Sequence, residues 1–297
     1  MRGAVRTVLG IFGLLVACSR EPALEGPEVA PSAAPDVTET RAPGENPFGF
    51  ESEPLEGKAG ELAFVPSKAT IDGAFERGAG EQPFVYLLAR LNEPGDRETR
   101  VRWSTGQRAH VPNALVIPVP RGQGASPGAI VLTTGASKTG LTRALVVPGG
   151  SPESPKVRYL DLVEGLAPVE PATLTPGSFN VLGAASEVGS TIACGQGGEK
   201  DWLLVVKRAK SAGSSRALAI GFSGKMRVVD LASSCVSLPL VPIISPGSPV
   251  YVPMLGRFVL GRVESVDRER GRVLTRFEFA GETRREAVGY ANLALKL

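Results

Sequence analysis

Three kinds of hydrophobic pattern follow one another along this 297-residue chain. Val8 to Val16 form one unbroken apolar run. From residue 19 to 58 no periodic pattern exists. Beyond that, apolar and polar residues alternate in short stretches separated by Gly, Pro and Ser, the signature of strands half-buried on one face. The alternation is clearest near the C-terminus. Gly247 opens a strand at Val250 and Val252, and Arg257 to Asp267 make a second. A polar turn, Arg268 to Gly271, leads to a third strand with Val273, Thr275, Phe277 and Phe279 on one face. Ala280 to Glu282 turn the chain into a fourth strand, Thr283 to Val288, and Leu293 and Leu295 close the unit. Five short strands in about fifty residues describe a small antiparallel barrel.

The same plan recurs upstream. Gly189 matches Gly247, Trp202 to Lys207 supply the second strand, Arg216 to Gly224 match Val273 to Gly281, and Val236 to Leu240 match the closing segment. A third copy begins at Gly60 and ends at Asn113 to Pro118, and a weaker fourth starts at Gly128. Joints at 118–127, 168–177 and 239–249 carry the Pro, Gly and Ser of linkers. The element order resembles SH3-like barrels of the Tudor type. That resemblance implies a mostly β chain of tandem small antiparallel SH3-like barrels; the alternative is one larger β-sandwich. The expected divisions are a signal peptide 1–17, a disordered tether 18–58, a barrel-like unit 59–120, a weaker β unit 121–177, and SH3-like units 178–245 and 246–297.

The apolar run has a function of its own. Arg2 and Arg6 precede it, it is too short to span a bilayer as a mature helix, and it ends in Leu15-Val16-Ala17-Cys18. This resembles the lipobox of bacterial lipoproteins, which implies cleavage before Cys18 and lipid attachment to its sulfur. Acyl chains contribute about 0.8 kcal/mol per buried CH₂, so two or three give a stable anchor. Ser19 in place of Asp implies the outer membrane, facing the periplasm or the cell surface.

Charge sharpens the division. Residues 19–58 hold nine acidic and three basic residues, a net of −6, along with seven prolines. The leader carries +2 and the whole chain +3, so residues 59–297 carry +7. An acidic, Pro-rich stretch without apolar period is expected to stay extended. In the exported compartment the two cysteines left after Cys18, Cys194 and Cys235, make an even pair. The barrel resemblance sets them on the first and last strands of one unit, which pair in that fold and imply a disulfide.

The search for chemistry yields little. The chain has one histidine, His110, which leaves a His-based zinc site or a Ser-His-Asp triad almost without material. Gly221 to Lys225 lack the rest of a phosphate loop, and no nucleophile elbow is present. The reading is therefore no catalytic residues, no metal, no cofactor and no nucleic acid. Two binding features stand out. Between Trp202 and Val229 lie six basic residues and no acidic one, and Lys207, Arg208 and Lys210 are the core of that run. Such clustering attracts anionic lipid or glycan. The Tudor resemblance also implies a cation cage of loop aromatics, for which Phe258 and Tyr290 are the candidates. The expected role is a membrane-anchored, non-catalytic binding or scaffolding lipoprotein of the cell envelope, partnered by an envelope protein or an anionic lipid or glycan. The alternatives are an envelope hydrolase or transferase with a non-standard site, and a structural spacer of an envelope machine.

Overall fold

A four-residue turn recurs four times, each time two residues before a strand. It ends at Gly60-Glu61, Gly128-Ala129, Gly189-Ser190 and Gly247-Ser248, and in each case the residue after the glycine donates its N–H back to the carbonyl three positions earlier. The glycines have φ of 84°, 91°, 91° and 86°. That left-handed position is one L side chains rarely adopt, which is why glycine fills it each time. Each glycine N–H then donates to a residue on the second strand of its unit (Leu91, Val146, Val205, Val263), which returns its own N–H to the residue after the glycine. The computed structural model describes residues 48–297 apart from 79, 81, 162–169, 184–186, 196–198 and 212.

From that turn every unit builds the same antiparallel pairing. The first comprises β1 (Leu62–Pro66), β2 (Tyr86–Pro94), β3 (Glu98–Trp103), β4 (Arg108–Pro112) and, after a 3₁₀ turn at Asn113–Leu115, β5 (Ile117–Val119). Their order is β4-β3-β2-β1-β5. The second unit repeats it with β6 (Ile130–Thr134), β7 (Leu141–Val147), β8 (Lys156–Tyr159), β9 (Ala172–Thr173) and β10 (Phe179–Val181) in the order β10-β6-β7-β8-β9. The third contains β11 (Thr191–Cys194), β12 (Asp201–Arg208), β13 (Arg216–Gly221), β14 (Met226–Asp230) and β15 (Cys235–Ser237), with β15 again beside the first strand. The fourth has β16 (Pro249–Met254), β17 (Arg257–Asp267), β18 (Arg272–Phe279) and β19 (Glu282–Gly289), and Ala294 bridges back to Tyr251 in place of a fifth strand.

In three units the second strand slips register against the third, at Leu91/Glu93, Val205/Lys207 and Val263/Ser265. Each slip falls directly after the residue that bonds the turn glycine. A bulge there bends the long strand so that it can serve both neighbours. The fold is thus mostly β and antiparallel, with one strand order repeated from unit to unit. The sheets stay open, because no pairing joins the fourth strand to the fifth among the described residues. Fifth strands of three residues offer too little edge to close the ring. The third and fourth sheets merge through the Asp201–Arg257 pairing of β12 and β17.

The helix α1 (Lys68–Arg77) is an insertion that the alternation does not predict. Ser67 caps it by accepting the Thr70 N–H, and Lys68 pairs with Asp72 one turn on. One hydrophobic cluster takes side chains from all four units, among them Phe64, Leu132, Val206 and Phe277. On β7 the side chain of Arg143 is wholly buried. Its guanidinium donates to both oxygens of Asp161 (3.1 and 2.6 Å), to Asn292 Oδ1 (2.6 Å), to the Ala291 carbonyl (2.9 Å) and to Thr191 Oγ1. Asn292 also accepts from the Trp202 indole (2.8 Å) and donates to Asp161 (2.8 Å). One cation therefore ties the second, third and fourth units together, and its buried charge is matched by acceptors on every side.

The first part of the chain requires a correction. The expected tether runs to residue 58, but 48–58 is a strap fastened to the body. Phe48 and Phe50 are buried, and Phe48 makes edge contacts with Phe75 and Phe84 at 6.2 and 5.5 Å. Two phenyl rings supply the apolar surface that the Pro-rich composition hides. Residues 1–47, including Cys18 and most of the tether, lie outside the described residues.

Candidate functional site

The residues singled out in the sequence scatter across the structure. Cys194 and Cys235 face each other across β11 and β15 and form a disulfide, with Cα atoms 4.1 Å apart. Both sit in or against a small apolar cluster with Ile192, Leu203 and Val205. Phe258 and Tyr290 do not form a cage. Tyr290 is buried in the main core, whereas Phe258 packs with Tyr251, Leu238 and Leu297 in a separate cluster. Tyr290 follows β19 in a turn whose residues are buried one after another, so its ring is turned inward with no open face for a cation. His110 is exposed on β4, opposite Arg100.

The basic run is real but occupied. Lys207 and Arg208 end β12, and Lys210 follows. The strap lies over this end. Lys210 Nζ meets Glu56 at 2.5 Å, its backbone N–H donates to Glu53 (3.0 Å), and Arg216 donates to the Gly49 carbonyl (2.9 Å). The strap is held from its other side by Asn113, a fully buried side chain whose amide donates to the Glu53 carbonyl (2.9 Å) and the Gly95 carbonyl (2.8 Å). Burial is the main cause that lowers the Lys207 pKa, aided by repulsion from Lys210 and opposed by Glu53 and Glu56. The hydrogen bond and charge of Lys210 hold the exposed Glu56 carboxyl below its ordinary value. The acidic strap and the basic run satisfy one another, so the contrast of −6 and +7 read from the sequence is partly an internal contact.

A concavity of a different character lies elsewhere, between the first and second units. It is a cleft of about 790 Å³. Strands β2 and β3 form one wall with Leu88, Arg90, Arg102 and Trp103. The β6–β7 hairpin and the β8–β10 region form the other, with Thr134, Lys138, Tyr159, Thr173 and Thr175. The hairpin is held against β2, since Gly140 donates its N–H to the Tyr86 carbonyl (2.8 Å) and Thr139 bridges Leu87. Arg90 is fixed by donating to the Gly60 carbonyl (2.6 Å), at the repeated glycine turn. Burial raises the Tyr159 phenol, so the hydroxyl stays protonated as a neutral donor and acceptor. Volumes of about 300–1,000 Å³ are those of small-molecule sites. Among the described residues no cluster of three or more His, Cys, Asp or Glu has the arrangement of a metal site.

Sequence reasoning missed this cleft because its two walls come from different repeats. One signal was present: β3 carries arginines at alternate positions, Arg100 and Arg102, and β2 adds Arg90. No protein-family model matches the chain, and no curated protein matches it.

Proposed function

We propose that the protein is a lipoprotein of the bacterial cell envelope, anchored through Cys18 in the outer membrane and facing the periplasm or the cell surface. In this reading it binds or scaffolds and does not catalyse. The observation that carries it is the junction Leu15-Val16-Ala17-Cys18 behind a short apolar run and two arginines. Between Cys18 and the strap at Phe48 stand 29 residues (19–47), a length that spans at most about 100 Å when fully extended. The disulfide agrees with export, because such bonds persist in oxidising compartments. A body in which Arg143 locks three of the four units together suits presentation of a fixed surface to a partner, and the cleft between the first two units is the natural binding place.

The test is fractionation of bacteria that express the full chain, with radioactive palmitate as label. The native chain is expected in the membrane fraction with label, and Cys18→Ala in the soluble fraction without it. Equal labelling of both would overturn the anchor.

A further inference from the structure

We propose that the cleft between β2–β3 and the β6–β7 hairpin is a binding site for an anionic saccharide. The inference rests on the binding-protein reading above and names its ligand class. The first observation is a row of like charge. Arg90 on β2 stands directly opposite Arg102 on β3, and Arg102 stands directly opposite Arg108 on β4. Like charges directly opposed across strands repel and destabilise a sheet. The usual remedy is a carboxylate in the row, as one register further on, where Arg100 pairs with Glu93 at 3.1 Å. No such relief exists for Arg102 or Arg108, which have no hydrogen-bond or ion-pair partner among the described residues.

The second observation is that the opposite wall adds another cation. Lys138 stands at the tip of the β6–β7 hairpin with φ of 61°, a left-handed conformation unusual for a residue with a side chain. Its ammonium also has no partner among the described residues, and it lines the same cleft as Arg90 and Arg102. None of the described lining residues carries a carboxylate. Cations from two units thus face one space, each held by an ordered element, with their charge uncompensated. By contrast the other strongly basic surface, at Lys207 and Lys210, is already covered by Glu53 and Glu56.

The rest of the lining selects among anions. Ser104, Thr105, Thr134, Thr173 and Thr175 bring hydroxyls that both donate and accept, the pattern that matches sugar hydroxyls. Trp103 in the same wall has a buried indole N–H with no acceptor. Leu62, Leu87 and Leu88 add apolar surface for the C–H faces of a pyranose ring. A lipid surface would call for cations on a convex face beside exposed apolar side chains. Here they line a concavity whose apolar members are mostly recessed.

The test is calorimetric titration of the full chain in detergent with three probes: trigalacturonate, a sulfated heparin tetrasaccharide and neutral maltotriose. Vesicles containing phosphatidylglycerol form a fourth arm. At least one anionic sugar is expected to bind tenfold or more tighter than maltotriose. Arg102→Ala and Lys138→Ala should each weaken it at least fivefold, as should a rise in salt, whereas Lys210→Ala should leave it within twofold. Both cleft side chains are exposed, and an unchanged circular dichroism spectrum confirms that the variants fold. The proposal is overturned if neither anionic sugar binds better than maltotriose, if the cleft variants bind like the native chain, or if only vesicles respond to them. Cys18→Ala fractionation reports separately on the anchor, so the two readings fail independently.

Discussion

Replacing Arg143 with methionine probes the contact that joins three of the four units. The side chain is fully buried and makes five hydrogen bonds, two of them to Asp161. Removing one partner of a buried ion pair generally costs about 3–5 kcal/mol, because the other charge is left uncompensated. Asp161 keeps some relief, since its side chain is 21% exposed and it still accepts from Asn292 and from the backbone N–H of residue 143. The lower end, about 3 kcal/mol, is therefore expected, which for a body of this size lowers Tm by roughly 6–12 °C. Equilibrium unfolding in guanidinium reads the loss directly. The double variant Arg143→Met/Asp161→Leu removes both charges and should lose clearly less than the two single losses summed, because neither ion is then stranded. A single-variant loss under about 1 kcal/mol, or strict additivity in the double, would refute the reasoning that this pair is buried and mutually dependent.

Three other outcomes follow from the same structure. Reducing Cys194–Cys235, or replacing both with serine, frees a 41-residue separation and should cost about 4 kcal/mol on the chain-entropy model; unchanged unfolding in reductant would contradict it. The double variant Glu53→Ala/Glu56→Ala should loosen the strap and expose residues 48–58 to protease; because its partner lowers the Glu56 pKa, that contact is present above the ordinary value of 4.5 and lost as pH falls below it, and cleavage that is insensitive to both substitution and pH would show that the two carboxylates do not hold the strap. Tyr86→Phe removes a fully buried hydroxyl that has no hydrogen-bond partner, and whose pKa burial drives well up, so it should leave stability unchanged or raise it; a loss above about 1 kcal/mol would reveal a bond to that oxygen.

The repeat was legible because its marker is local. A left-handed turn position demands glycine, so Gly60, Gly128, Gly189 and Gly247 stand out in sequence and begin the four units in space. The disulfide followed from the strand order that the repeat implies. What escaped notice depends on contacts between distant segments. Arg143 interrupts the apolar run of Leu141 to Val147, a visible oddity, yet nothing local identifies Asp161, Thr191 and Asn292 as its partners. Phe48 and Phe50 stand amid prolines and acids, where composition argues for an extended leash, and only the contacts of Phe48 with Phe75 and Phe84 and the burial of Phe50 reveal them as anchors. The counter-charges of Lys210 in the basic run escaped for the same reason: they lie some 150 residues upstream, at Glu53 and Glu56. The cleft is a property of two units set side by side, and alternation within either one is silent about it.

We propose a body tethered to a membrane through a lipid on Cys18. Mass spectrometry of the N-terminal peptide, taken from the full chain expressed in a bacterial host with an intact lipoprotein pathway, tests it most directly. The account predicts a mature chain that begins at Cys18 and carries a thioether-linked diacylglycerol. A chain that begins elsewhere, or one that begins at an unmodified Cys18, would contradict it.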